Sequence, residues 1–500
     1  MANTIRFKNT NFKDKNLTNL RLVGFDSLRL RRKNMLFSSI PFLYYFLPSV
    51  LVLYLVAPQK IKNSVLLLSS LVFYGWGEPR YVFLMIATVA AGYLMGLLIE
   101  RFKKTPLAKL FLAISVTLSL SALAYFKYAD FFIENFNKVT GLSIPLLRLA
   151  LPIGISFYTF QILSYTVDVY RGTAAAQKNP INLATYIALF PQLIAGPIVR
   201  YSDIETQLTA RTHTINKTSE GIRRFIIGLS KKIILANTLG ELCEAFFASG
   251  DKSVLFFWLF AFCYMLQIYF DFSGYSDMAI GLGKFFGFDF MEIFNHPFAA
   301  TSITDFWRRW HISLGTWFRD YLYIPLGGNR VKKPRHLFNI FVVWLLTGFW
   351  HGAEWNFILW GLFFAILLTA EKFFFLKQIE SHKVMRHIYV IFFTAISFVI
   401  FSAGSLKQAF SYVGGLCGAG GIPFVSDEFF YYLKSYGFVI AIAAICSLPI
   451  PKHIFYAACK NKTAKKIISI LEIPILVCLL LISTAYLADG SFNPFLYFRF

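Results

Sequence analysis

Phe338-Asn-Ile-Phe-Val-Val-Trp-Leu-Leu-Thr-Gly-Phe349-Trp350-His351-Gly-Ala-Glu354-Trp-Asn356-Phe-Ile-Leu-Trp-Gly-Leu-Phe-Phe-Ala-Ile-Leu-Leu-Thr-Ala-Glu-Lys-Phe-Phe-Phe375 sets an apolar run on either side of a short polar junction. Crossing a bilayer takes roughly 20 mostly apolar residues, so 338–350 and 355–375 are read as candidate spans meeting at the junction. An ionisable group at membrane depth is costly. It is normally covered by protein or lines a wet cavity, where it marks a pathway or a reaction centre. His351 stands at such a place.

The rest of the chain suits the same solvent. Of its 500 residues 57% are hydrophobic and 15% charged, and the mean hydropathy is +0.57. A water-soluble domain carries about a quarter charged residues, so the composition predicts an all-α polytopic membrane protein. Further candidate spans are 39–57, 64–77, 80–99, 108–127, 149–169, 181–198, 253–270, 387–403, 436–450 and 467–487, which gives ten to twelve in all. Turn formers in 64–77 (Gly75-Trp-Gly77) and 181–198 (Pro191, Gly196-Pro197) predict that one or two of these are re-entrant, covered by protein or water rather than lipid.

Basic residues flank 39–57 on both sides: Arg31, Arg32 and Lys33 before it, Lys60 and Lys62 after it. Cytoplasmic loops collect Lys and Arg, so a full crossing cannot satisfy both flanks. A bend at Pro48 into an interfacial hairpin would resolve the conflict. The clearest cytoplasmic signals are Arg101-Phe-Lys-Lys104 and Arg330-Val-Lys-Lys-Pro-Arg335. Residues 220–247 carry Arg223, Arg224, Lys231 and Lys232 against an Ile/Leu/Phe face, the pattern expected of an amphipathic helix lying in the interface. Residues 404–435 read as the longest loop.

Residues 1–34 are polar and basic and are expected to form a cytoplasmic tail, or to precede a translation start at Met35. They lack the apolar core of a secretory signal peptide. Residues 35–500 read as a single membrane domain. The net charge of +23 accompanies no nucleic-acid recognition module, so nucleic acid is not an expected partner. The charge is read instead as topology and contact with anionic headgroups. A cytoplasmic site for a phosphorylated cofactor stays open. The six cysteines form no C-x-x-C pair and suggest neither zinc nor disulfides.

Chemistry concentrates in two stretches. The longer runs from Asp271-Phe-Ser-Gly-Tyr-Ser-Asp277 through Asn295-His-Pro297, Asp305-Phe-Trp-Arg308-Arg-Trp-His311 and Trp317-Phe-Arg-Asp-Tyr321 to Ile324-Pro-Leu-Gly-Gly-Asn-Arg330. Aromatic residues interleaved with Arg and Asp suggest short helices folded against a lined cavity. An interfacial belt of Trp, Tyr and Arg at the headgroups is the competing reading for Arg308, Arg309, Arg319 and the 330–335 cluster. The shorter stretch holds His351 with Trp350, Glu354 and Asn356 crowded around it. A general base must be unprotonated near working pH, and an imidazole in a low-dielectric pocket fits that role. The bland alternative is a histidine hydrogen-bonded in a helix interface. His351 and Glu354 could offer two metal ligands on one helix face, but a catalytic zinc site takes three, so no metal is expected. No G-x-S-x-G elbow, P-loop or H-E-x-x-H motif is present.

The Asp271–Arg330 block and Trp350-His-Gly-Ala-Glu-Trp-Asn-Phe357 resemble the membrane-bound O-acyltransferase superfamily, specifically its bacterial alginate O-acetylation branch. Phe73-Tyr-Gly-Trp-Gly-Glu-Pro79, Pro191-Gln-Leu-Ile-Ala-Gly-Pro-Ile198 and Asn493-Pro-Phe-Leu-Tyr-Phe-Arg-Phe500 are similar too, so the likeness runs from Met35 to the end. It implies a funnel or tunnel through the membrane that thins near a signature histidine. That residue maps onto His351, and a second, supporting histidine onto His311.

The resemblance further implies a bacterial inner-membrane location, a thioester donor on the cytoplasmic side with acetyl-CoA as co-substrate, and no bound cofactor. The ultimate acceptor would be an exported polysaccharide, reached through a periplasmic partner of the SGNH-hydrolase type. On this reading His351 takes the acceptor hydroxyl's proton, while His311, Asp305 or Asn356 orients it or polarises the carbonyl. Asp305, Arg308, Trp350 and Asn356 line the cavity. Arg330, Lys332, Lys333 and Arg335 hold the donor phosphates, or else serve topology alone. Peptidoglycan O-acetylation and teichoic-acid D-alanylation are the runners-up within the family, and a transporter or channel is the non-enzyme alternative. Transporters often show paired inverted halves, and no such repeat is visible here.

Overall fold

A computed structural model describes residues 35–194, 196–490 and 492–494. The basic 1–34 stretch and the last six residues of the Asn493–Phe500 motif lie outside the described residues. Among the described residues every regular element is a helix. Lipid offers backbone groups no partner, and an α-helix satisfies them within itself. Among the described residues seven helices are long and apolar enough to cross a membrane: Tyr81–Arg101, Pro106–Thr140, Val254–Phe285, Trp355–Ile379, Met385–Ser402, Asp427–Ser447 and Lys462–Ala488. Val254–Phe285 has 78% of its apolar window buried against 6% for Lys462–Ala488, so the first is the central post and the second faces outward.

The other expected spans are shorter helices: Lys62–Gly77, Ile155–Arg171 and Lys333–His351. The 39–57 segment does not fold into a hairpin. It is one helix, Phe42–Val56, that opens with a π-turn over Phe42–Phe46 and passes Pro48 near the start of its α-helical part. Pro48 directly follows that π-turn, an irregularity of the ladder of the kind that accompanies a proline inside a helix. The 181–198 segment is broken, as its turn formers predict. Helix Pro180–Ala188 stops at Leu189, Phe190–Leu193 makes one more turn, and residues 196–200 have no regular structure. Its freed backbone groups find partners inside the protein. Ser70 Oγ accepts from Phe190 N at 3.0 Å, and Tyr186 Oη donates to Val199 O at 2.8 Å. The 404–435 stretch is not all loop, since Leu406–Leu416 is helical.

The basic helix also differs from its sequence reading. Ile215–Ser230 continues through a π-turn into Asn237–Ala248 and lies directly against Val254–Phe285. Glycines let the backbones meet. A Cβ on Gly228 would stand 2.6 Å from Gly274 O, and one on Gly221 2.6 Å from Gly281 O. The four cations do not share one outward face. Arg223 and Lys232 are nine residues apart, about half a turn around a helix of 3.6 residues per turn. Lys232 therefore points inward and pairs with Asp271 at 2.5 Å, each side chain only 3% exposed. Lys231 and Arg224 hold Asp277 at 2.7 and 2.9 Å.

Removing one partner of a buried ion pair leaves an uncompensated charge and costs about 3–5 kcal/mol, whereas an apolar pair in its place is near neutral. Asp271→Asn is thus expected to lower the thermal midpoint sharply in detergent, and Lys232→Met with Asp271→Leu to recover most of the loss.

Candidate active site

His351 is the last residue of helix Lys333–His351, and the local sequence explains the stop. Gly352 is extended, and a Cβ there would overlap the Phe357 ring. Trp355–Ala370 then turns back along the first helix. Gly348 and Gly361 sit where the two helices touch; a Cβ on Gly348 would strike Phe357 O, and one on Gly361 would strike Trp344 O. The Trp-His-Gly junction is therefore the closed end of a tight helical hairpin. Glu354 caps the second helix, so it shares no helix face with His351 and the two-ligand arrangement considered from sequence does not exist. Among the described residues no group of three potential metal ligands is assembled.

A helix end leaves its last carbonyls without intrahelical partners. Here helix Pro106–Thr140 supplies them. Tyr128 Oη donates to Phe349 O at 2.8 Å, and Lys127 Nζ donates to Trp350 O at 2.5 Å and reaches His351 O at 3.4 Å. The ammonium also stands 5.7 Å from the Trp350 ring. A cation at a helix C-terminus answers the negative end of the helix dipole, so Lys127 satisfies hydrogen bonding and charge together. Sequence reading missed Lys127 and Tyr128. The available signal was a lysine, Lys127, at the far end of the apolar 108–127 run, about five turns from Lys109 at its start.

The same Lys127 lines a cavity of about 70 Å³ with the 151–157 segment, Ile194, Trp350 and His351. That is room for roughly two waters or one small acyl group. Gly154 shapes one wall: its φ is +75°, and a Cβ would stand 2.7 Å from Leu193 O, so the broken 190–194 turn and the start of helix Ile155–Arg171 can close on each other. Trp350, Trp360 and Phe401 surround the His351 ring at centroid distances of 4.9, 5.0 and 5.4 Å, all close to perpendicular. Among the described residues no protein group hydrogen-bonds the His351 ring.

His311 is buried, its ring 6.2 Å from that of Trp350. It precedes helix Ile312–Phe318 in a left-handed conformation, φ +46°. A non-glycine residue held there is uncommon and signals a constraint imposed by its surroundings. Trp317 fixes that helix by stacking on Phe160 at 3.8 Å, and Phe160 in turn faces Trp350 at 5.6 Å. Trp350 thus contacts both histidine rings, and the cavity wall includes His351 but not His311.

The other sequence candidates spread out. Asp305 accepts from Thr301 N at 3.1 Å and pairs with Arg309 at 3.0 Å, which makes it a brace for helix Ile303–Arg309. Arg308 is exposed. Asn356 is fully buried, and its amide donates to Ala403 O at 2.7 Å, tying the hairpin to helix Met385–Ser402. None of these three borders the His351 cavity. Arg330, Lys332, Lys333 and Arg335 are exposed at the far end of the His351 helix. At 1.5 Å per residue that is about 27 Å from the histidine.

Leaving a buried carbonyl without its donor costs about 1–3 kcal/mol. Lys127→Met is therefore expected to lower the thermal midpoint more than Tyr128→Phe, with Lys127→Arg intermediate. Equal midpoints for Lys127→Met and the unaltered protein would contradict the capping role.

Comparison with known proteins identifies the family. Residues 117–413 match the model of the MBOAT, membrane-bound O-acyltransferase family. A probable alginate O-acetylase of Azotobacter vinelandii is 38% identical over 93% of this chain and 100% of its own. One of Pseudomonas aeruginosa is 44% identical over 75% of this chain and 73% of its own. A peptidoglycan O-acetyltransferase of Helicobacter pylori is 34% identical over 78% and 81%. A polar path through a membrane protein would also suit a transporter, but these matches decide for an enzyme. The chain belongs to the membrane-bound O-acyltransferase family.

Proposed function

We propose that this O-acyltransferase moves an acetyl group from acetyl-CoA toward an exported polysaccharide of the alginate type, with His351 as the general base. The observation that carries the assignment is His351 itself, at a capped helix end, opening on the small cavity it shares with Lys127. As an acceptor hydroxyl attacks the thioester carbonyl, a neutral imidazole takes its proton and the new C–O bond forms. The tetrahedral oxyanion then collapses, the C–S bond breaks, and the leaving thiolate recovers the proton from the imidazolium. The products are an acetyl ester and a free thiol. The Lys127 ammonium places positive charge beside the developing oxyanion, where preorganised charge is most effective. His311 is a positioning residue that acts through Trp350.

Arg330, Lys332, Lys333 and Arg335 would hold the donor's phosphates, at a helix N-terminus that itself favours anions. A donor anchored there must extend along the helix to reach His351. The cavity admits an acyl group but not a polymer, which supports a relay: acetyl passes to a periplasmic partner of the SGNH-hydrolase type, and that partner modifies the polysaccharide. The enzyme would then sit in the bacterial inner membrane with Arg101–Lys104 and Arg330–Arg335 on the cytoplasmic side. Peptidoglycan is the second acceptor to consider, because the Helicobacter pylori enzyme matches most of the chain.

A general base contributes about 10²–10⁴-fold, so His351→Ala is expected to remove polymer acetyl ester by that factor at normal protein abundance. Wild-type ester would show the assignment to be wrong, and the polymer that loses acetate identifies the acceptor. Replacing Arg330, Lys332, Lys333 and Arg335 together by Gln is expected to raise KM for acetyl-CoA and leave kcat nearly unchanged. An unaltered KM would reduce the cluster to a topology signal.

A further inference from the structure

Lys62, which from sequence reads as a loop charge, is only 9% exposed. It begins helix Lys62–Gly77, and its Nζ stands 4.6 Å from the Tyr54 ring. The Arg211 guanidinium lies 5.9 Å from the same ring and 4.5 Å from that of Phe288. His213 completes the group, its Nε2 2.8 Å from Tyr54 Oη, which itself donates to Phe286 O at 2.7 Å. Arg211 Nη2 donates to Asn63 Oδ1 at 2.6 Å. Its Nη1 is buried and has no partner among the described residues.

The balance of charge is what sets this cluster apart. Lys232, Lys231, Arg224 and Arg200 are each held by a carboxylate within 3 Å. Among the described residues neither Lys62 nor Arg211 has a carboxylate partner. The charged groups facing His213 are Lys62, Arg211 and Lys217, all cations; burial first, and then these neighbours, hold the imidazole below its ordinary range. Lys217 is already paired with Asp289 at 2.6 Å. Two cations gathered in a low-dielectric site with no counter-charge are costly. A guanidinium with a spare buried N–H beside an ammonium is suited to a tetrahedral oxyanion.

The cluster's position adds to this. Asn63 Nδ2 donates to Asn182 Oδ1 at 2.7 Å. The loop leading to Asn182 is fastened to Glu100, whose Oε1 accepts from Ala176 N at 2.9 Å. Lys62 and Arg211 therefore share one end of the helical array with the basic Arg101–Lys104 turn, where phosphate-bearing headgroups and soluble phosphates are both within reach.

We propose that Lys62, Arg211 and His213 form a binding site for a phosphate group, separate from the His351 cavity and from the exposed 330–335 cluster. An anionic phospholipid headgroup and the phosphates of a soluble nucleotide share the required chemistry. Thermal unfolding of the purified protein separates them. One arm compares nanodiscs of phosphatidylcholine alone with nanodiscs that also contain phosphatidylglycerol; the other adds inorganic phosphate or coenzyme A to protein in uncharged detergent.

A rise in the midpoint with phosphatidylglycerol identifies a lipid site, and a rise with phosphate or coenzyme A a soluble one. In Lys62→Gln with Arg211→Gln the apparent affinity should weaken by about a hundredfold, since each charge-assisted contact contributes roughly a factor of ten or more. Arg211→Lys should retain part of the response. Should the double variant not be recovered, Lys62→Gln alone is expected to weaken the response about tenfold. The proposal is overturned if no anion shifts the midpoint of the unaltered protein, or if the substituted proteins respond as it does.

Discussion

A carbonyl left without an intrahelical partner at a packed helix end needs a donor from elsewhere, and the site depends on how that constraint is met at His351. The helix must stop there for the imidazole to open on the cavity, and stopping exposes the carbonyls of Phe349, Trp350 and His351. Lys127 and Tyr128 take them up from a neighbouring helix. An unsatisfied buried polar group costs several kcal/mol in lipid, so this capping and the glycine contact at Gly348 and Gly361 hold the hairpin end in one place. The aromatic walls follow from it. Trp350, fixed by its position before His351, contacts both histidine rings and stacks on Phe160, which in turn stacks on Trp317.

Charge is managed by the same logic. The chain carries +23, yet three cations packed against the central helix are paired: Lys232 with Asp271, and Lys231 and Arg224 with Asp277. These pairs lock the Ile215–Ala248 segment to the central Val254–Phe285 helix, alongside the glycine contacts that bring the backbones together. Lys127 is different because its hydrogen-bond partners are carbonyls. Lys62 and Arg211 are different again because their charge is met by aromatic faces and an asparagine.

Much of this was legible in the sequence, for identifiable reasons. Apolar run length reports directly on helices that face lipid, so Tyr81–Arg101, Val254–Phe285 and the hairpin at His351 stand out. Gly196-Pro197 and Pro191 announced a broken segment because only special backbone geometry uses them in such a run. The sequence pointed less well to what depends on three-dimensional pairing. Lys232 reads as one of a basic pair until the half-turn separating it from Arg223 is counted. Asp305 and Asn356 looked like cavity residues because polar groups near a reactive histidine suggest chemistry, but they brace helices instead. Lys127 lies more than 220 positions from His351, and nothing in periodicity joins them.

The central claim is that His351, held at a capped helix end, accepts the proton in acyl transfer. The most direct test is the pH dependence of kcat/KM for the purified enzyme and for His351→Gln. A base must be unprotonated to act, so the account predicts that wild-type activity falls as pH drops through the pKa of the free-enzyme imidazole. The residual activity of the variant should have lost that acid limb. An acid limb of the same shape and position in His351→Gln would contradict the account.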